Sequence, residues 1–194
     1  MARKKLLHVS IQGSDSTLDP GRFEGLEETA DDVRWVENRL IELGVCDRLE
    51  FTAAYTYKGE SPPDPGSIDA VILGGSYPSV NAGLPWQRAT MDWLARFREV
   101  GRPILGICGG HQMMSRLLGA EVEPLALDGD PHAGSIAVDL TQAGRRHFLF
   151  EGFGPRPRFY FGNFEHVVSA PAGAVVLGST ASFKVAALDY GGGW

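Results

Sequence analysis

The decapeptide PILGICGGHQ, Pro103 to Gln112, changes character halfway along. Pro103 to Ile107 is a short apolar run of the kind that fills a buried strand. After Gln112, the residues Met113, Leu117 and Leu118 continue a short helix that ends near Gly119. Between them lies Gly106-Ile107-Cys108-Gly109-Gly110, a Gly-x-Cys-x-Gly turn from strand to helix. A bend this sharp lifts one side chain above the end of a sheet, as in a nucleophile elbow. Glycines flank it because any Cβ there meets the neighbouring strand or helix. The place also suits a thiol, since the free N–H groups of a helix N-terminus favour the thiolate and hold an oxyanion. The alternative is a buried cysteine in a glycine-rich turn with no chemistry at all.

Outward from the elbow, the preceding chain repeats strand and helix. Leu6 to Gln12 reads as a buried strand closed by Gly13, and the polar stretch Ser14 to Gly25 as a long loop. Val33, Val36, Leu40 and Leu43 recur with a helical period between about Glu27 and Leu43, and Gly44 supplies the stop. Leu49 to Tyr55 gives a second strand, Ser61 to Gly66 a Pro-rich turn, and Asp69 to Leu73 a third strand. Trp86, Trp93, Leu94, Phe97 and Val100 line one face of a second helix that closes at Gly101. The pattern predicts an α/β fold: a mostly parallel central sheet with helices on both faces, of flavodoxin-like type. Beyond Gly119 it changes to short strands, Ser135 to Leu140, Ala174 to Gly178 and Val185 to Asp189, which predict a smaller, irregular antiparallel part. With 194 residues, no internal repeat and no linker, a single domain over 1–194 is expected.

Val71-Ile72-Leu73-Gly74-Gly75-Ser76 ends the third strand on paired glycines. The C-terminal ends of parallel strands share one crevice. The N–H of Gly75 is therefore placed to face the oxygen of a carbonyl attacked by Cys108, with the N–H of Gly109 as second donor.

A formal charge of −6 argues against a non-specific nucleic-acid binder, which needs a basic stripe. No run approaches a membrane span or a signal-peptide core, so the expectation is a cytoplasmic protein without membrane contact. Two cysteines, Cys46 and Cys108, make no disulfide framework, and no Cys/His metal spacing, P-loop or dinucleotide fingerprint occurs. Neither metal nor cofactor is expected.

The segments VILGGS, PILGICGGHQ, AVDLTQAG and NFEHV together resemble the successive landmarks of class I glutamine amidotransferase domains, particularly the glutaminase part of GMP synthase. The resemblance implies that a cysteine attacks the side-chain amide of glutamine, ammonia leaves, and water hydrolyses the thioester. It assigns Cys108 as nucleophile and Gly75 and Gly109 as oxyanion hole. It also implies that Gly74, Ser76, Gln112, Phe161, Gly162 and Asn163 bind the substrate, glutamine or a γ-glutamyl compound. A synthetase or other acceptor protein is the implied partner.

Cysteine hydrolases take the thiol proton with an imidazole oriented by a carboxylate. The resemblance places both on a late His-Pro-Glu segment, and no such tripeptide occurs in residues 1–194. His8, His132 and His147 read as structural or solvated. His111 points along its own helix, and His166 in Asn163-Phe164-Glu165-His166 has an acid beside it that faces the opposite way if the segment is extended. The expectation is a chain cut short of its catalytic histidine and glutamate. The alternatives are a non-catalytic, glutaminase-like binding module and a protease-like member of the same fold.

Overall fold

The computed structural model describes residues 2–13, 31–125 and 132–194. The long loop expected over Ser14 to Gly25 lies outside them. The chain divides into two compact units, Met1–Met113 and Met114–Trp194.

In the first unit, strand β1 (Lys4–Ser10) is followed by helix α1 (Asp32–Glu42) and strand β2 (Leu49–Tyr55). Strand β3 (Ala70–Leu73), helix α2 (Pro85–Val100), strand β4 (Ile104–Gly106) and helix α3 (Gly109–Leu117) complete the series. The sheet order is β2-β1-β3-β4, and every pairing is parallel. From β1 the chain crosses to one side through α1, and from β3 to the other through α2. Right-handed crossovers therefore set α1 and α2 on opposite faces, with the change of direction between β1 and β3. A strand covered on both faces must be apolar on both, and Leu7, Val9 and Ile11 are fully buried with Leu73 beside them. The flavodoxin-like expectation is met.

Helix α1 starts later than the expected Glu27. Asp31 is extended and caps it, its side chain accepting from the N–H groups of Val33 and Arg34, so that helical backbone begins at Asp32. Helix α2 buries Gln87, Thr90, Trp93, Leu94 and Phe97, whereas Val100 is exposed and Trp86 only half-buried. The expected apolar face was thus turned by part of a helical step. Trp93 and Phe97 stack at 5.2 Å, and two polar side chains complete the face because the chain supplies them partners: Thr90 donates to Trp86 O, and Gln87 spans Ser79 O and the N–H of Leu84.

The second unit holds short strands only: β5 (Val122–Pro124), β6 (His132–Ala137), β7 (Asp139–Leu140), β8 (Arg158–Asn163), β9 (Glu165–Val167), β10 (Val175–Ser179) and β11 (Ala187–Asp189). All of its strand pairings are antiparallel: β5 with β9, β6 with β8, and β10 between β11 and β7. The single strand expected over Ser135 to Leu140 is two, broken at the buried Val138. Gly144 is required here by space, since a Cβ on it falls 2.0 Å from Leu177 O.

Candidate functional site

The site is built on the ends of β3 and β4. Ile107 donates its N–H to Leu73 O at 2.9 Å, which carries the β3–β4 pairing one residue past β4. At Cys108 the backbone turns left-handed, φ 53°, and no other non-glycine among the described residues has a positive φ. An L-residue held there costs of order 1–3 kcal/mol, and such strain gathers at working sites. Helix α3 opens at the next residue, and Gln112 donates its N–H to Cys108 O at 3.0 Å, closing the first turn.

The glycines are explained one by one. A Cβ on Gly109 falls 2.5 Å from both the N and the Cβ of Ser76. On Gly110 it falls 2.3 Å from Leu73 O and 2.8 Å from Gly74 O. The start of α3 therefore lies directly on the backbone that follows β3. Gly75 stands next to the nucleophile, its Cβ position 3.7 Å from Cys108 Cβ.

Two backbone N–H groups, of Gly109 and of Ser76, are hydrogen-bonded to the Cys108 thiol. Gly109 was expected there, and Ser76 takes the place at the sulfur beside it. Burial pushes the thiol above its ordinary value, and the two amides oppose that shift without overcoming it. The expected thiolate is thus corrected to a thiol at neutral pH: desolvation outweighs the helix N-terminus. Cys108 is half-buried rather than sealed, whereas Cys46 is exposed.

Ser76 Oγ donates to Pro78 O at 2.8 Å, and Gln112 is buried. His111 is held neutral, its pKa lowered to about 4 by desolvation. Within the second unit, Phe161, Gly162 and Asn163 end β8, paired with Gly134, Ala133 and His132 of β6. The Phe161 ring lies 5.4 Å from that of Phe183. Asn163 Nδ2 reaches Glu165 O at 3.4 Å, while His166 pairs with Glu123 across β9 and β5.

Sequence reading missed two acids. Asp31 accepts from Tyr55 Oη of β2, at 3.1 Å through Oδ2. Asp32 binds His8 Nε2 at 2.8 Å through Oδ2 and Ser10 Oγ at 2.7 Å through Oδ1, both from β1. The available signal was a pair of acids at a helix start facing a histidine inside an otherwise apolar strand.

Residues 47–132 match the CobB/CobQ-like glutamine amidotransferase domain family. The GMP synthase (glutamine-hydrolyzing) of Aeropyrum pernix is 29% identical over 157 residues, which are 81% of this chain and 28% of that protein. A shorter glutamine-hydrolyzing GMP synthase polypeptide, from Ignicoccus hospitalis, is 28% identical over 153 residues, 79% of this chain and 76% of its own length. In fold, a glutamine amidotransferase from Thermotoga maritima superposes with a TM-score of 0.75 at 19% identity, covering 99% of this chain and 74% of its own. Fold, elbow and relatives together define the chain as a class I glutamine amidotransferase domain. Within that class it is homologous to the glutaminase of GMP synthase, and it spans 28% of the length of the A. pernix enzyme. Among the described residues, no helix is long and apolar enough to cross a membrane.

Proposed function

We propose that this chain hydrolyses the side-chain amide of glutamine through Cys108, in the cytoplasm, and delivers ammonia to an acceptor site on a partner synthetase. The observation that carries the reading is the left-handed Cys108 set between β4 and α3, with two backbone amides on its sulfur, in a chain whose relatives are glutamine amidotransferases. The family match at residues 47–132 crosses the division at Met113, which supports reading 1–194 as one domain.

In this reading Sγ attacks the amide carbon and the N–H groups of Gly75 and Gly109 receive the oxygen as it gains charge. Ammonia leaves with the proton taken from the thiol, and water then cleaves the thioester to glutamate. Gly74, Ser76 and Gln112, with Phe161, Gly162 and Asn163, bind the substrate. Because burial keeps the thiol protonated, attack requires a general base, and an imidazole is the fitting group.

The experiment measures glutamate release by residues 1–194 and by a chain continued past Trp194, each with its Cys108→Ala variant. Activity in either form that Cys108→Ala abolishes supports the proposal. Activity that survives Cys108→Ala, or silence of both forms toward glutamine, overturns it. The protonated thiol favours one other reading, a glutaminase-like binding module, for which silence with retained glutamine binding is the signature.

A further inference from the structure

Beside the nucleophile turn lies a polar cluster that the reaction as proposed leaves unused. His8 of β1 is almost completely buried, and its Nδ1 is sealed from solvent without a hydrogen-bond partner. The ring is therefore held through Nε2 alone, on Asp32 Oδ2. Ser10, also fully buried, donates to the other oxygen of the same carboxylate, and Thr56 Oγ1 ties Ser10 O from just past β2 at 3.1 Å. Both oxygens of Asp32 thus have a fixed partner.

What this carboxylate rests against is Gly74. A Cβ on Gly74 falls 2.4 Å from Asp32 Oδ2, 3.2 Å from His8 Nε2 and 3.3 Å from His8 Cε1. Gly74 does not have a positive φ, so its lack of a side chain is a matter of space and not of backbone conformation. The same residue is fixed on its other sides: its N–H donates to Val9 O at 3.0 Å, and its own O lies 2.8 Å from the Cβ position of Gly110 in α3. Gly74 is wedged between the Asp32 cluster and the start of the nucleophile helix, and Gly75 and Ser76 follow it directly.

We propose that Asp32, locked by His8 and Ser10, is a positioning residue for the Gly74-Gly75-Ser76 turn, setting where its amides stand relative to the Cys108 sulfur. The proposal rests on the reading of Cys108 as nucleophile. Asp32 touches neither the sulfur nor the substrate; it acts through Gly74. Shortening its side chain leaves a gap under Gly74, and the two amides that follow lose their register with Sγ.

Two readouts test it. The first is the backbone amide resonances of Gly75 and Ser76, with Gly101 as a distant reference. The second is the rate at which Cys108 is alkylated by a glutamine-mimicking chloroketone, compared with iodoacetamide, which needs no oxyanion hole. Asp32→Ala is expected to move the Gly75 and Ser76 resonances and leave Gly101 in place. It should slow the chloroketone by about tenfold or more while changing the iodoacetamide rate by less than about twofold. Asp32→Asn, which keeps the shape, should restore most of both.

Gly74→Ala should be damaging alone and partly rescued in Gly74→Ala/Asp32→Ala, because the second change vacates the space the new Cβ needs. Unmoved Gly75 and Ser76 resonances in Asp32→Ala, or a double variant no better than Gly74→Ala, overturn the proposal. Should Asp32→Ala not fold, Ser10→Ala frees one oxygen only and is held to the same resonance criterion. If the parent chain is alkylated by iodoacetamide but ignores the chloroketone, the glutaminase reading fails, and the resonances still decide the role of Asp32.

Discussion

Gly110→Ala pits two physical effects against each other with opposite signs. By intrinsic propensity, alanine in a helix is better than glycine by roughly 0.5–1 kcal/mol, so the substitution ought to stabilise α3. By packing it must destabilise, because the new Cβ lands 2.3 Å from Leu73 O, 2.9 Å from Leu73 C and 2.8 Å from Gly74 O. These are backbone atoms of a central strand and cannot rotate away. A carbon–oxygen contact settles near about 3.3 Å, so α3 has to retreat by about 1 Å. Overpacking of that kind costs about 1–3 kcal/mol, which exceeds the propensity gain. At roughly 2–4 °C per kcal/mol for a chain of this size, Tm should fall by roughly 2 to 12 °C.

The same retreat carries Cys108 and Gly109 away from Ser76. A misplacement of about 1 Å can cost about a hundredfold in rate, so alkylation by a glutamine-mimicking chloroketone should drop far more than stability alone explains. The assay is a thermal unfolding curve beside a labelling time course at a temperature where both proteins are folded. A Tm equal to or above that of the parent means that α3 does not rest on the β3 backbone as described, and the account of the elbow glycines fails with it.

Two further outcomes concern protons. Burial raises the Cys108 thiol, so its alkylation by iodoacetamide should keep accelerating at pH values where a free cysteine peptide has levelled off; a plateau below the ordinary thiol range refutes the desolvated site. His111 has a folded pKa of about 4, below the ordinary 6.5, so the unfolded chain binds this proton first as pH falls. Its contribution is complete above the unfolded pKa and is lost as pH falls from 6.5 toward about 4, up to about 3 kcal/mol. Tm measured across that window should therefore drop less steeply in His111→Gln than in the parent, and equal slopes refute the assignment.

The parallel sheet was legible because its strands are apolar on both faces and its punctuation is glycine: Gly13, Gly44, Gly74-Gly75 and Gly101 each close an element. The elbow was legible for the same reason, since strand, Gly-x-Cys-x-Gly and helix leave the backbone few alternatives. Strands β5, β8 and β9 were not separated by the sequence, because short strands paired with one neighbour need no apolar alternation. The charge state of Cys108 was misjudged because helix and turn are visible in a sequence while desolvation is a property of everything packed around the sulfur. Asp32 escaped notice for a related reason. It meets His8 and Ser10 across more than twenty positions of chain, and Gly74 across forty-two, a convergence that only the β1–α1 and β1–β3 packing creates.

The left-handed backbone at Cys108 has a bearing on the history of the chain. Cysteine and glycine codons differ by a single base, TGT or TGC against GGT or GGC, and glycine takes this conformation without penalty. A lineage selected for durability alone has that step always open to it and gains stability by taking it. A sulfur retained in a spot where the genetic code offers so cheap a relaxation is one whose reactivity outweighs the strain of keeping it.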